Sequence, residues 1–409
     1  MDPDRGAGIP GRGSTAVSPL AGVLVVALEQ AVAGPLASRH LADLGARVIK
    51  IERPGVGDFA RHIDHTVSGL SSHFVWVNRS KESLTLNLKE PSARSILDRL
   101  LARADVFIQN FSPGAIARLG LDPQTLQSRY PKLVICSISG YGQQGPYAHR
   151  KAYDLLIQAE AGLLSVTGTP DAICKAGIAV ADIAAGVYAF ANVLAALYVR
   201  MKTGQGSVIN VSMLDTLAEW MEFPFYYAAY GGALPERTGA KHATIAPYGP
   251  FQTADGSTIM IAVENDGDWA RFCQAVLERP DLVVSLRFNS NSNRLRHRDE
   301  LESIINTILG RLSDAEVVAR LERAEVAYGR VRDASELGEH PQLKSMGRWR
   351  AVDSPAGPIR ALLPPLYVNP NAEDSLKPIP SVGEHTDAIL RELGLSDNEI
   401  CELRCRGAI

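Results

Sequence analysis

Residues 23–52 read VLVVALEQAVAGPLASRHLADLGARVIKIE. The run Val23–Leu28 is unbroken apolar sequence of strand length, and Gly34-Pro35 then interrupts extended structure. LASRHLADLG (36–45) follows with apolar residues at helical spacing, and ARVIKIE (46–52) reads as a second short strand. A strand, a helix and a strand in this order form a unit whose strands lie parallel, because the helix carries the chain back to the starting edge.

The alternation continues outward. SARSILDRLLARA (92–104) is helical in pattern and precedes the strand DVFIQN (105–110); SPGAIARLG (112–120) precedes LVICSIS (133–139) across another short helix. Strands alternating with helices over this distance predict a mostly parallel sheet with helices on its faces. Ile183–Lys202 reads as one long helix stopped by Thr203-Gly204-Gln205-Gly206, with a further strand at SVINVSML (207–214). The fold class is therefore α/β.

We expect a flexible arm over residues 1–19, a large α/β domain over 20–225, a glycine- and proline-rich linker over 226–249 and a smaller α+β domain over 250–349. The smaller domain should contain a strand pair turning at Asp255-Gly256. A return segment with C-terminal helices over 350–409 should pack on the large domain.

Composition narrows the function. The 409 residues are 46% apolar and 21% charged, and 42 Lys and Arg against 45 Asp and Glu give a net charge of -3. No basic run exists to neutralise a phosphate backbone, so nucleic acid is not an expected partner. Five scattered cysteines show neither a disulfide framework nor zinc spacing, which points to a reducing, cytoplasmic setting and no metal site. Ala176–Val199 carries only Asp182 and Asn192 as strongly polar side chains. Its apolar content is mostly Ala and Gly, so a buried core helix is expected there rather than a membrane span.

Asp182 stands out because no other charge occurs between Lys175 and Arg200. Burial raises the free energy of a carboxylate, so such a group has a partner or a function. Its position before the long helix also suits a plain N-cap, and capping and chemistry are compatible. Asp154, after Tyr153 and at the head of another apolar helical run, has the same two readings.

EQAVAGPLASRHLADLGARVIKIERPGVGDFAR (29–61) resembles the opening signature of the family III CoA-transferases, the CaiB/BaiF group. NRSKESLTLNLK, NFSPGAIARLG, SISGYGQQGPY, KAYDLLIQAEAG, DIAAGVYAFANVLAALYVRMKTGQG and GEHTDAIL match the same family in order, spanning nearly all of residues 20–395.

The resemblance implies a Rossmann-like large domain, a smaller domain, and two chains interlocked as a homodimer. It makes Asp182 the nucleophile, with Gln30 positioning the acyl group and the pair Tyr153 and Asp154 lining the site. Coenzyme A is implied to contact Arg53, Lys81, Asn110, Phe111, Arg118 and Lys151, in keeping with the affinity of cations and aromatic faces for phosphate and adenine. No permanently bound cofactor is implied: coenzyme A enters with the substrate, and the partners are an acyl-CoA and a small carboxylic acid.

The implied reaction is transfer of coenzyme A to a free acid through an aspartyl-acyl anhydride. Arg61, His62, His65 and Arg237 are candidates to receive the second carboxylate of a dicarboxylic acid. Two alternatives compete: an α-methylacyl-CoA racemase, whose catalytic His would fall at Tyr153 with His149 nearby, and an acyl-CoA-binding protein without turnover.

Overall fold

The computed structural model describes residues 18–365 and 376–409. The arm expected over 1–19 lies outside the described residues, apart from its last two positions. The chain divides into two compact units.

The first unit gathers the chain up to Ile157, Ile178–Glu219 and Met346 onward. Its centre is a six-stranded sheet of β1 (Leu24–Leu28), β2 (Arg47–Glu52), β3 (Lys81–Thr85), β4 (Val106–Gln109), β5 (Val134–Ser139) and β6 (Val208–Ser212). All neighbours run parallel, in the order β3-β2-β1-β4-β5-β6. This is the doubly wound arrangement, in which strand order reverses between β1 and β4. The crevice beyond the carboxyl ends of those two strands is where such sheets bind ligands.

Alternation along each strand sorts the side chains. On one face Val26, Leu28, Ile49, Ile51, Leu84, Phe107 and Ile135 form an apolar core. α2 (Pro91–Leu101) packs there through Ile96, Leu97, Leu100 and Leu101, as do Ile389, Leu390 and Ile400 of the C-terminal helices. Each fully buried aliphatic side chain contributes about 1.5–3 kcal/mol. The opposite face near the carboxyl edge carries Glu29, Lys50, Glu52, Lys81 and Ser83, all buried.

α1 (Ala33–Asp43) covers that polar face, and α4 (Val180–Thr203) packs on α1, β5 and β6. α4 is long and apolar enough to cross a bilayer, and half of an 18-residue apolar stretch within it is buried inside the protein. Gly186 makes its contact with α1 close: a methyl group there would lie 2.9 Å from the Ala33 carbonyl oxygen and 3.1 Å from Leu36.

The second unit comprises Gln158–Gly177 and Trp220–Ser345. Tyr248–Gln252, Thr258–Ala262 and Ala327–Arg330 form an antiparallel sheet over a core including Phe251, Ile259, Trp269 and Phe272. The hairpin at Asp255-Gly256 is present, with Gly256 at φ +79°.

The boundaries differ from expectation: residues 220–225, placed in the large domain, and 226–249, read as a linker, belong to the second unit, which ends at Ser345 rather than at 349. Residues 158–177, assigned from sequence to the large domain, group with the smaller unit, and part of the expected linker is helical as Glu222–Gly231. The linker reading followed its glycines, but Glu222–Tyr230 precedes them and satisfies its own backbone until Gly232 ends the helix in a left-handed conformation.

Candidate active site

The turn after β1 is the organising element of the site. Gln30 donates its backbone N–H to Asn110 Oδ1 at 2.9 Å, and Asn110 Nδ2 returns a bond to the Gln30 carbonyl at 2.7 Å. Asn110 follows β4, so this reciprocal pair ties together the two strands flanking the crevice. Beneath the turn, Lys50 Nζ reaches the Glu29 carbonyl oxygen at 3.3 Å and Asp58 Oδ2 at 2.9 Å. Asp58 Oδ1 accepts the Ala31 N–H at 3.1 Å and the Ala60 N–H at 2.9 Å.

Three acids and three bases form the charged layer below. Glu29 Oε1 accepts from Lys81 Nζ at 2.7 Å and Ser38 Oγ at 2.8 Å. Glu52 binds Arg61 through both oxygens, at 2.9 and 2.7 Å, and takes Ser83 Oγ at 2.6 Å. Burial works against the Glu29 anion, but the ammonium groups of Lys81 and Lys50 outweigh it and hold its pKa below the usual carboxylate range. Burial likewise opposes the Lys50 cation, and Asp58, Glu29 and Glu52 more than compensate, so its pKa is raised.

Asp182 has a different setting. It sits in the first turn of α4, which begins at Val180 rather than at Ile183 as the sequence pattern suggested. The cap comes from elsewhere in the chain: Asp154 Oδ1, at the head of α3 (Asp154–Glu160), accepts the Ala181 N–H at 2.8 Å and the Asp182 N–H at 3.4 Å. Asp182 is thus no N-cap, and its carboxyl group is left for other work. Burial, and then the like charge of Asp154, raise its pKa to about 7, while a hydrogen bond from the Ala33 N–H opposes the shift. Among the described residues no cation is paired with it.

Asp182 lines a cleft of about 400 Å³ together with Gln30, Asn110, Phe111, Lys151 and Tyr153. A second cleft, of about 190 Å³, shares Gln30 and Phe111 with the first and adds Arg53, Lys89 and Leu119. Tyr153 is 69% exposed. Gly140, after β5, lets the 150–153 segment come close: a Cβ there would overlap Ala152.

Several sequence expectations change. Lys81 does not face a ligand, since its amino group is fully buried on Glu29, the Pro35 carbonyl and Asn78. The Asn110 amide is committed to the Gln30 backbone, making it a clamp. Arg118 is exposed at the end of the short helix Ala115–Arg118 and lines neither cleft. Arg61 is taken by Glu52 and the Pro380 carbonyl. Arg237 belongs to the other unit and bonds the carbonyls of Thr169 and Pro170. His62 Nε2 lies against the Val56 carbonyl oxygen.

Sequence reasoning missed Glu29, Lys50 and Asp58 as individuals, although all lie in the quoted 29–61 stretch. It also missed Arg150 and Met213, which line the Asp182 cleft.

The sequence model of CoA-transferase family III matches residues 20–386. The chain belongs to this family. It is similar to the succinyl-CoA:glutarate CoA-transferase of Mus musculus, at 32% identity over 98% of this chain and 93% of the relative. It is 36% identical to the acetyl-CoA:oxalate CoA-transferase of Acetobacter aceti, over 84% of this chain and 89% of that one. Among solved structures, a CaiB/BaiF family protein from Brucella suis superposes with a TM-score of 0.79 at 34% identity, covering 92% of this chain and all of the other. The family III CoA-transferase is thus an enzyme that moves coenzyme A between acyl-CoA and carboxylic acid.

Proposed function

We propose that Asp182 is the nucleophile of this family III CoA-transferase. The observation that carries the reading is a half-buried carboxyl group, beside a second carboxylate and with no cation paired to it among the described residues, opening on a cleft at the switch point of the sheet. Such a group is desolvated and reactive as its anion.

The Asp182 carboxylate attacks the thioester carbonyl; the C–S bond breaks and coenzyme A leaves as its thiolate, forming an acyl-aspartyl anhydride. The acceptor carboxylate attacks the aspartyl carbonyl and expels the donor acid as its carboxylate. The retained thiolate then attacks the acceptor's carbonyl carbon and regenerates Asp182. Gln30 orients the acyl oxygen, and the Ala33 N–H stabilises charge as it develops.

In this reading the thioester lies in the Asp182 cleft, and the nucleotide end of coenzyme A lies in the neighbouring cleft against Arg53 and Phe111. The shared residues Gln30 and Phe111 support one ligand spanning both. The acceptor is a small dicarboxylic acid, as in the names of the relatives, with Arg150 and Lys151 supplying positive charge to its second carboxylate. The enzyme works in the cytoplasm as an interlocked homodimer. Phe223, Phe225, Tyr226 and Tyr230, exposed on Glu222–Gly231, support a second chain covering that helix.

Acyl-CoA turnover in the presence of hydroxylamine tests the nucleophile. A hydroxamate at residue 182 by mass spectrometry, absent without donor, is expected. A hydroxamate at Asp154 instead, or α-proton exchange with deuterated solvent and no adduct, overturns the assignment. A panel of donors and acids read by the same method identifies the substrates. For the assembly, a folded monomer appearing on dilution to nanomolar concentration rules out interlocked chains.

A further inference from the structure

Ala31 has φ +62° and stands in the turn between β1 and α1, with Gln30 on one side and Ala33 two residues beyond. A side chain at positive φ is disfavoured, and such a conformation persists only where its surroundings enforce it. The bond enforcing it here is the Ala31 N–H to Asp58 Oδ1, and Asp58 is fixed by Lys50 and by its own N–H to Glu52 Oε1 at 2.8 Å. Lys50 also holds the carbonyl of Glu29, so the turn is gripped on both sides of Gln30 by one buried pair. The side chains of Lys50 and Asp58 have no accessible surface, with Asp58 set in the wall of the second cleft.

We propose that the buried Lys50–Asp58 pair is a positioning device for the transfer reaction: it holds residue 31 in its left-handed conformation and thereby aims Gln30 and the Ala33 N–H at Asp182. The inference rests on the reading of Asp182 as the nucleophile. It gives a mechanical reason for the spacing between Lys50 and Asp58 in VIKIERPGVGD: β2 delivers the lysine, and the following loop returns the aspartate beneath the same turn.

A simple structural role for the pair predicts lost stability and no more. Positioning through Ala31 predicts a second-site rescue, because glycine takes positive φ without strain and would restore the turn when the grip is weakened. Asp58→Asn keeps an oxygen for the Ala31 and Ala60 N–H groups but removes the charge that fixes it on Lys50. The expected result is a kcat roughly 10- to 50-fold below the wild type with KM for acyl-CoA changed less than about threefold. Adding Ala31→Gly should recover most of that loss, and in a Gln30→Ala background Asp58→Asn should cost much less than it does alone.

If Asp58→Asn does not fold, Asp58→Glu is read in its place. It retains the charge opposite Lys50 while displacing the oxygen from the Ala31 N–H, and the same rescue by glycine is expected. A loss carried by KM, a loss equally large without Gln30, or no recovery with Ala31→Gly overturns the proposal. Hydroxylamine trapping on the wild type separates this from the underlying reading: absence of the residue-182 adduct there defeats the nucleophile assignment, whereas its presence with an uncoupled Asp58 defeats only the positioning role.

Discussion

Glu29, fully buried, and Asp182, half-buried where it opens on its cleft, are carboxyl groups at the carboxyl edge of one sheet, and their surroundings are opposite. Glu29 meets two lysines and a serine, and its pKa is lowered. Asp182 meets another carboxylate and one backbone N–H, and its pKa rises to about 7. The paired acid is held as a stable anion with little reason to react. The unpaired one is costly to ionise, and in the proposed reading that cost is what would make its anion reactive.

Asp182→Asn gives the largest effect expected from this contrast. Transfer should fall by about 10⁴-fold or more, since an amide cannot form the anhydride. Stability should move the other way. The folded-state pKa lies above the usual carboxyl value, so between pH ~4 and ~7 the folded protein keeps a proton that the unfolded chain has released, and rising pH costs stability across that window. Asparagine does not titrate, so at pH 8 the variant should be more stable by on the order of 2–4 kcal/mol, read from urea unfolding. An unchanged midpoint would mean that Asp182 is not strained.

Lys81→Met probes the opposite side. It leaves Glu29 buried with half its compensation, and a loss of about 3–5 kcal/mol in unfolding free energy is expected. Intact stability would show that the charged layer does not hold the sheet face together.

Smaller effects sharpen the picture. The kcat/KM profile should fall on the acid side with a midpoint near pH 7, as Asp182 gains its proton. Asp154→Asn preserves an oxygen for the Ala181 N–H but removes the like charge, so the acid limb should move down by about one pH unit. Arg53→Ala, at an exposed cation in the second cleft, should raise KM for acyl-CoA only about three- to tenfold, with kcat nearly unchanged.

Local chemistry was legible in the sequence wherever it was written locally. The alternation of strands and helices predicted the parallel sheet, and the charge-free stretch around Asp182 marked a carboxylate that the structure leaves without a paired cation among the described residues. What escaped was decided by strand order. Lys81 looks like a surface lysine because its partner, Glu29, lies far away in the chain; the two meet only because β2 separates β1 from β3 and all three turn the same alternate residues to α1. The Asp154 cap on α4 spans a loop that leaves one unit and returns, and no N-terminal signature near Val180 announces it. Residues 158–177 escaped for the same reason, since membership of a unit depends on packing that short windows do not contain.

Gly186 has a consequence for how the enzyme comes into being. By allowing α4 to press on α1, it brings Asp182 to the Ala33 N–H, two groups far apart in the chain. Contacts of such long range form late, after local helices are already present. On the proposed reading of Asp182 as the nucleophile, its environment should be among the last features to assemble, and a half-folded chain should carry an ordinary aspartate that acyl-CoA leaves unmodified. During refolding, competence to be acylated should return after the helical signal, so that self-acylation would wait until the two strand-helix halves have closed.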